Sequence, residues 1–247
     1  MKYLLLALCF LPLALPAQPA TGLRVLSYNI RNAKGMDNQT DYVRIAGVIK
    51  SANAELVALQ ELDSVTQRSK GIDVLQILAE STGMTGTYAS AIDYSGGKYG
   101  VGILSKQKPL SVQRIPLPGK EEKRVLLAVA FEQYVFFCTH LSLTEADRIS
   151  AAAIIDSVAA GYQKPIILAG DMNAAPESGF FKQLSAEWQL VSGTAFTFPA
   201  PQPDRCIDYI LLRKPHHWVP VQKMVLDEPL ASDHRPVLVE LSARPKQ

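Results

Sequence analysis

The chain has 247 residues, is 48% hydrophobic, and balances 25 Lys and Arg against 23 Asp and Glu for a formal charge of +2. Such a near-neutral protein has no global field to draw it onto nucleic acid, so any steering has to come from a local basic patch. Three cysteines exclude a many-bridged disulfide scaffold, and the length suffices for one large hydrophobic domain or two small ones.

The opening "MKYLLLALCFLPLALPAQPA" joins a lysine, an apolar run and small residues. This is the layout of a secretory signal peptide over residues 1–17, with cleavage between Ala17 and Gln18, and it predicts a secreted or periplasmic protein. Pro12 and Pro16 break the run, which is short for a bilayer span, so no stable membrane span is expected. Cys9 lies very early with more apolar sequence after it, which argues against a lipid anchor. After cleavage Cys138 and Cys206 remain, and their spacing leaves a disulfide between them open.

Residues 23–30 read as a strand. Residues 41–53 read as a helix, with Tyr42, Ile45, Ala46 and Ile49 at helical spacing behind a capping Asp41. The apolar run 55–62 is a buried strand and 73–82 a helix. Strands follow near Tyr88 and at 99–106, 123–132 and 134–141. A long helix is expected over 145–162, a strand over 164–173, a shorter helix over 179–188, and closing strands over 205–212 and 234–241. No repeat, charge block or linker divides residues 22–243, so 18–247 is read as one domain. Many neighbouring strands with few helices favour mixed sheets packed face to face with helices outside.

One anomaly recurs along these strands. Asn29 sits near the end of "RVLSYNI", Glu61 ends "LVALQE", His140 ends "VFFCTH", and Asp171 and Asn173 end "PIILAGDMN". Asp208 interrupts "RCIDYILL", and Asp233 and His234 precede "RPVLVEL". Burying any one of these groups unpartnered costs about 1–3 kcal/mol. A single case is well explained as a hydrogen-bonded core residue. The repetition, and the shared face of Asp171 and Asn173 on an extended chain, point to strand ends converging on one pocket.

The oxygen donors of Glu61, Asp171, Asp208 and Asp233, with Asn29 and Asn173, suit a hard divalent cation, Mg²⁺ first, with Mn²⁺ or Ca²⁺ as alternatives. No cysteine pair has zinc-ligand spacing and no HExxH motif is present. Histidines without a nucleophile elbow favour acid–base or charge-stabilising roles. Ser232, Asp233 and His234 are adjacent and cannot face one another as a triad. Metal-assisted attack of water on phosphorus remains.

The blocks "SYNIR", "LQELD", "YGVGILSK", "THL", "GDMNAAPES", "IDYIL" and "SDHRPV" occur in the order and at about the spacing of the endonuclease/exonuclease/phosphatase superfamily, which the chain resembles from about residue 23 to 241. The resemblance implies a DNase I-like fold, a four-layer α/β/β/α sandwich of two packed mixed sheets flanked by helices. It implies Glu61, with Asn29 beside it and Asp233, as metal ligands. Asp171 would orient or deprotonate the attacking water, and Asn173 would hold that water or a phosphate oxygen. His234 would bind the scissile phosphate, oriented by Asp208. His140 would help the leaving oxygen depart, and Arg31 would contact phosphate.

The substrate is read as a phosphate ester, with a nuclease or other phosphodiesterase first and a phospholipid- or sugar-phosphate-directed enzyme second. A non-catalytic module binding phosphorylated ligands is a third reading. A monomer is expected. Asp93 is read as a turn residue, with support of His140 as the alternative. Tyr99 and Lys98 are candidates to line the substrate channel, with packing the ordinary reading of a tyrosine that opens a strand. His216 and His217 are read as loop residues. Packing is expected of both cysteines, and "GKEEKR" (119–124), with Lys106 and Lys108, offers a modest basic rim.

Overall fold

The structure, a computed structural model, describes residues 22–243. The expected signal peptide over 1–17 and Cys9 lie outside the described residues, as do the last four. Among the described residues no helix is long and apolar enough to cross a membrane.

Among the described residues twelve strands form two six-stranded sheets. The first has the order β11 (Trp218–Val225), β12 (Val237–Ala243), β1 (Leu23–Asn29), β2 (Leu56–Ser64), β4 (Gly97–Ser105) and β3 (Thr85–Tyr94). The second has the order β5 (Ser111–Leu117), β6 (Arg124–Ala130), β7 (Val135–His140), β8 (Ile166–Asp171), β10 (Asp208–Arg213) and β9 (Trp188–Leu190). Each sheet holds one parallel pair at its centre, β1 with β2 and β7 with β8, among antiparallel neighbours. Central strands such as "RVLLAVA" are buried along their whole length, because one face meets the other sheet and the opposite face meets helices.

Three apolar clusters correspond to the three interfaces of a four-layer sandwich. Val25, Ala58 and Ile103 meet Leu127, Phe136 and Ile167 between the sheets. Helices α1 (Tyr42–Ala52) and α2 (Val74–Thr82) cover the first sheet through Ile45, Ile49 and Leu78 against Leu26, Tyr28 and Leu59. Helices α3 (Glu145–Ala160) and α4 (Gly179–Leu184) cover the second through Ala152, Ile155 and Phe180 against Phe137 and Leu168. Asp41 and Asp73 cap α1 and α2, accepting hydrogen bonds from the amides of Arg44 and Gln76.

Three strands escape the sequence pattern. β5 and β11 are edge strands carrying Pro116 and Pro220 and little burial, and β9 has three residues. Edges need neither an apolar face nor every amide, so their alternation is weak. The helix expected over 179–188 ends at Leu184, and Trp188 opens β9 instead, its indole donating to Asp156. Glu61 does not end its strand: β2 runs to Ser64, and the register shifts between Leu59 and Leu62.

Candidate active site

That shift is a β-bulge at Gln60 and Glu61, and Glu61 has a left-handed φ of 61°. The bulge aims the two polar side chains apart. Gln60 turns into the buried interior, where its amide donates to the Cys138 sulfur, while Glu61 turns into the cleft at the sheet ends. Strand alternation alone does not produce this placement.

The second sheet delivers its groups by register. His140 ends β7 directly beside Asp171 at the end of β8, and Asp171 lies opposite Asp208 at the start of β10. Asp171 Oδ2 lies 3.5 Å from His140 Nε2, 3.7 Å from His234 Nε2 and 3.0 Å from Asn29 Nδ2. Gly170 permits this closeness, since a Cβ there would stand 2.0 Å from the carbonyl oxygen of Thr139. Asn173, with a left-handed φ of 47°, folds back so that its backbone amide donates to Asp171 Oδ1 and its side-chain amide donates to the Leu141 carbonyl.

Asn29 connects the two sheets. Its Nδ2 donates to Glu61 Oε1 and to Asp171 Oδ2, each at 3.0 Å, and its Oδ1 accepts from the Arg31 amide. It therefore orders two carboxylates by donation through Nδ2 while Oδ1 is held by a backbone amide. Arg31, Asn32 and Ala33 follow with successive left-handed φ values of 46°, 45° and 62°. This turn is a strained one for L-residues. It brings Arg31 Nε to 3.4 Å from Asp233 Oδ2. Ser232 closes the loop, its hydroxyl donating to the Asn29 carbonyl and accepting from the His234 amide.

The two histidines are driven to opposite protonation states. Burial pushes His140 down to about 4, with Arg124 and His234 adding to the effect against the opposing pull of Asp171. Burial also opposes charge on His234, but Asp208, Asp171 and Asp233 outweigh it and raise the imidazole to about 10. His234 Nδ1 lies 2.9 Å from Asp208 Oδ2, which also accepts from the Thr197 hydroxyl at 2.6 Å. The surroundings thus push one imidazole toward the neutral form and the other toward the imidazolium, a division of labour that acid–base chemistry needs. Glu61 is raised by burial and by the neighbouring Asp233 and Asp171, against Asn29 and His234.

This donor set fits a hard cation. At the floor of one cleft the charges of Asp233 and Asp171 add to the cost of ionising Glu61. Asp208 Oδ1 is buried with no hydrogen-bond partner, and Asp171, Asp208 and His234 bring donor atoms within 4.8 Å of one another. Oxygen-rich, charge-crowded sites are those that divalent cations relieve. Glu61 and Asp233 add two further carboxylates to the same cleft.

The cleft over these groups has a volume of about 870 Å³ and is also lined by Tyr99, Arg124, Phe196, Phe198 and Arg205. Of these only Tyr99 and the arginine of "GKEEKR" carried any signal in the sequence, and Thr197 and Ser232 carried none as positioning groups. Asp93 is exposed and pairs with Lys98 at the β3–β4 turn, away from His140. His216 and His217 lie outside the cleft, between β10 and β11. Cys138 and Cys206 are both free and buried, the first between the sheets and the second against α4 and Tyr209. Burial pushes their thiols up to about 12 and about 11, which suits packing.

The sequence model of the endonuclease/exonuclease/phosphatase family matches residues 26–234. No curated protein matches the chain. Among solved structures, an endonuclease/exonuclease/phosphatase from Beutenbergia cavernae superposes with a TM-score of 0.74 at 24% identity, over 90% of this chain and 72% of that one. The catalytic domain of human Nocturnin, with a bound sulfate anion, gives 0.71 at 19% identity over 90% and 94%. A mannosyl-6-phosphatase of Bacteroides thetaiotaomicron gives 0.66 at 19% over 89% and 99%. At these identities the likeness to the solved structures is one of fold.

Proposed function

The chain belongs to the endonuclease/exonuclease/phosphatase family, and from that premise we propose that it is an exported, divalent-metal-dependent hydrolase of phosphodiesters. The observation that carries this reading is the position of Asp171 between the imidazoles of His140 and His234, in one cleft with Glu61 and Asp233. Export rests on residues 1–17 of the sequence.

Glu61 and Asp233 would hold Mg²⁺ or Mn²⁺, whose charge would offset that of the phosphate oxygens. Asp171 accepts a proton from water as the water oxygen bonds to phosphorus and the ester P–O bond breaks. Asn173 fixes that carboxylate itself through its backbone amide, and Asp208 fixes the neighbouring His234 through its bond to Nδ1. His234, kept cationic, donates to a non-bridging phosphate oxygen and stabilises its developing charge. His140, kept neutral, donates a hydrogen bond to the leaving oxygen, which takes its proton from solvent. Arg31, held beside Asp233, offers its guanidinium to the second face of the phosphate.

The test is hydrolysis of bis(p-nitrophenyl) phosphate by the purified protein in Mg²⁺ and in Mn²⁺. Turnover should disappear in excess EDTA and fall at least about a hundredfold in His234→Ala. Unchanged turnover in EDTA, or in a folded His234→Ala variant, would overturn the assignment. A sugar phosphate is the second reading, favoured by the named activity of the mannosyl-6-phosphatase that shares the fold.

A further inference from the structure

The walls of the cleft, above the catalytic floor, differ in character. Two arginines line them, and both are already engaged. Arg124 is buried and lies 2.9 Å from Glu122 and 3.6 Å from Glu121. Arg205 lies 2.9 Å from Asp204, with its guanidinium over the Phe198 ring, 5.2 Å from the centroid. Glu122 and Asp204 are the carboxylates those arginines pair with, and Glu177 adds a further one to the walls. A second phosphate next to the scissile one would meet Glu177 and two acid–arginine pairs, with no arginine or lysine among the cleft-lining residues free of a carboxylate partner. Strand-binding clefts have the reverse balance, because backbone phosphates are held chiefly by cations.

The remaining wall is apolar. Leu143 and Phe196 both line the cleft, yet they are 66% and 55% exposed. Phe198 stands deeper, half-buried, its ring centroid 4.8 Å from that of His234. Ile207 and Pro176 continue the surface. Single exposed apolar residues are ordinary, but several converging beside a catalytic imidazole form a binding surface. They share the cleft with His234, so a group esterified to a phosphate held there would meet them.

From these two walls we infer that the substrate is a small phosphodiester with one phosphate, one of whose ester groups is apolar or aromatic and packs on Phe196 and Phe198. This rests on the phosphodiesterase reading above and names its substrate class. The acidic wall rejects a neighbouring phosphate, and the apolar wall supplies the affinity that a strand-binding enzyme would draw from cations. Nucleic acid is thereby the disfavoured diester.

The experiment compares methyl p-nitrophenyl phosphate with phenyl p-nitrophenyl phosphate, which share a leaving group, using the full protein in Mg²⁺ and Mn²⁺. The phenyl ester should have a kcat/KM at least about tenfold higher, the effect expected for burying a ring. Phe196→Ala, at an exposed position that does not carry the fold, should bring that ratio to within about threefold of one. Calorimetry gives a second readout: phenylphosphonate should bind at least about tenfold tighter than methylphosphonate, and Phe196→Ala should erase the difference. Dihexanoylphosphatidylcholine distinguishes the sources of the apolar group. If it is turned over faster than the phenyl ester, a lipid ester is identified; if slower, an aromatic one. Equal rates for the two p-nitrophenyl esters, or faster cleavage of an oligonucleotide than of the phenyl ester, would overturn the inference and leave a phosphodiesterase. Absence of turnover and of phosphonate binding in either metal would overturn the hydrolase reading and the inference together.

Discussion

Replacing Gly170 with alanine tests how closely the fold and the site are joined. Gly170 pairs with Thr139 across the parallel β7–β8 ladder and with Tyr209 across the antiparallel one, so it is held on both sides by backbone. An added Cβ would stand 2.0 Å from the Thr139 carbonyl oxygen and 3.0 Å from its carbonyl carbon, and φ is +157°. Ordinary contact begins near 3.4 Å, so β7 and β8 must part by more than an ångström. No side-chain rotation relieves a backbone clash. Overpacking in a filled core costs about 1–3 kcal/mol, and the strained ladder bonds put Gly170→Ala at the upper end, about 3 kcal/mol. His140 and Asp171 are the next pair in the register, so kcat should fall at least about tenfold as well. Urea unfolding followed by circular dichroism measures the first effect, and phosphodiester turnover the second. Gly47→Ala is the control: it sits exposed in α1, a Cβ there meets nothing within 4 Å, and it should gain up to about 1 kcal/mol. A loss below about 1 kcal/mol for Gly170→Ala, with kcat unchanged, would refute the close-packing reasoning.

Asp208→Asn removes the carboxylate that holds His234 cationic, so kcat should fall about 10²–10³-fold at pH 7.5 while the far-ultraviolet spectrum stays that of the parent; a rate within threefold of the parent would reject the role given to Asp208. Glu121 clasps the β5–β6 loop to the start of α3, and despite the opposing effect of burial its own amide, the Leu143 amide and the hydroxyls of Ser142 and Thr144 lower it to about 2. A carboxylate lowered in the folded state stabilises above its unfolded pKa and loses that contribution as pH falls through the folded value. Glu121→Gln should therefore unfold at lower temperature than the parent at pH 7, with the gap closing between about pH 4.5 and about 2; a constant gap would contradict the assignment. Saturating Mg²⁺ or Mn²⁺ should raise the midpoint of thermal unfolding by relieving the crowded carboxylates, an increment that EDTA abolishes and Glu61→Gln greatly reduces. Equal increments in the parent and in Glu61→Gln would place the ion elsewhere.

Much of the fold was legible because local and global preferences agree. Runs such as "LRVLSYNI" and "PIILAGD" are buried on both faces and read as strands without knowledge of their neighbours, and Asp41 and Asp73 mark helix starts through bonds to residues three positions on. β5 and β11 were not legible, since an edge strand is defined by the partner on its one paired side. The site divides in the same way. Asn29, Glu61, His140, Asp171, Asp208 and His234 stood out as polar groups in apolar runs. Their roles depended on the bulge that turns Glu61, on the register that sets His140, Asp171 and Asp208 side by side, and on Thr197 and Ser232, which no pattern marks.

The amino-acid order alone thus determined which segments are buried and which polar residues their burial requires to have partners, because both follow from the local alternation of apolar and polar groups. The tertiary structure alone decided which of those residues meet. Asn29 and Asp171 are 142 positions apart, yet Nδ2 of the one stands 3.0 Å from Oδ2 of the other. The histidines' opposite charge states and the apolar wall at Phe196 and Phe198 were decided there too, since burial and Coulomb fields act through space and owe nothing to sequence separation.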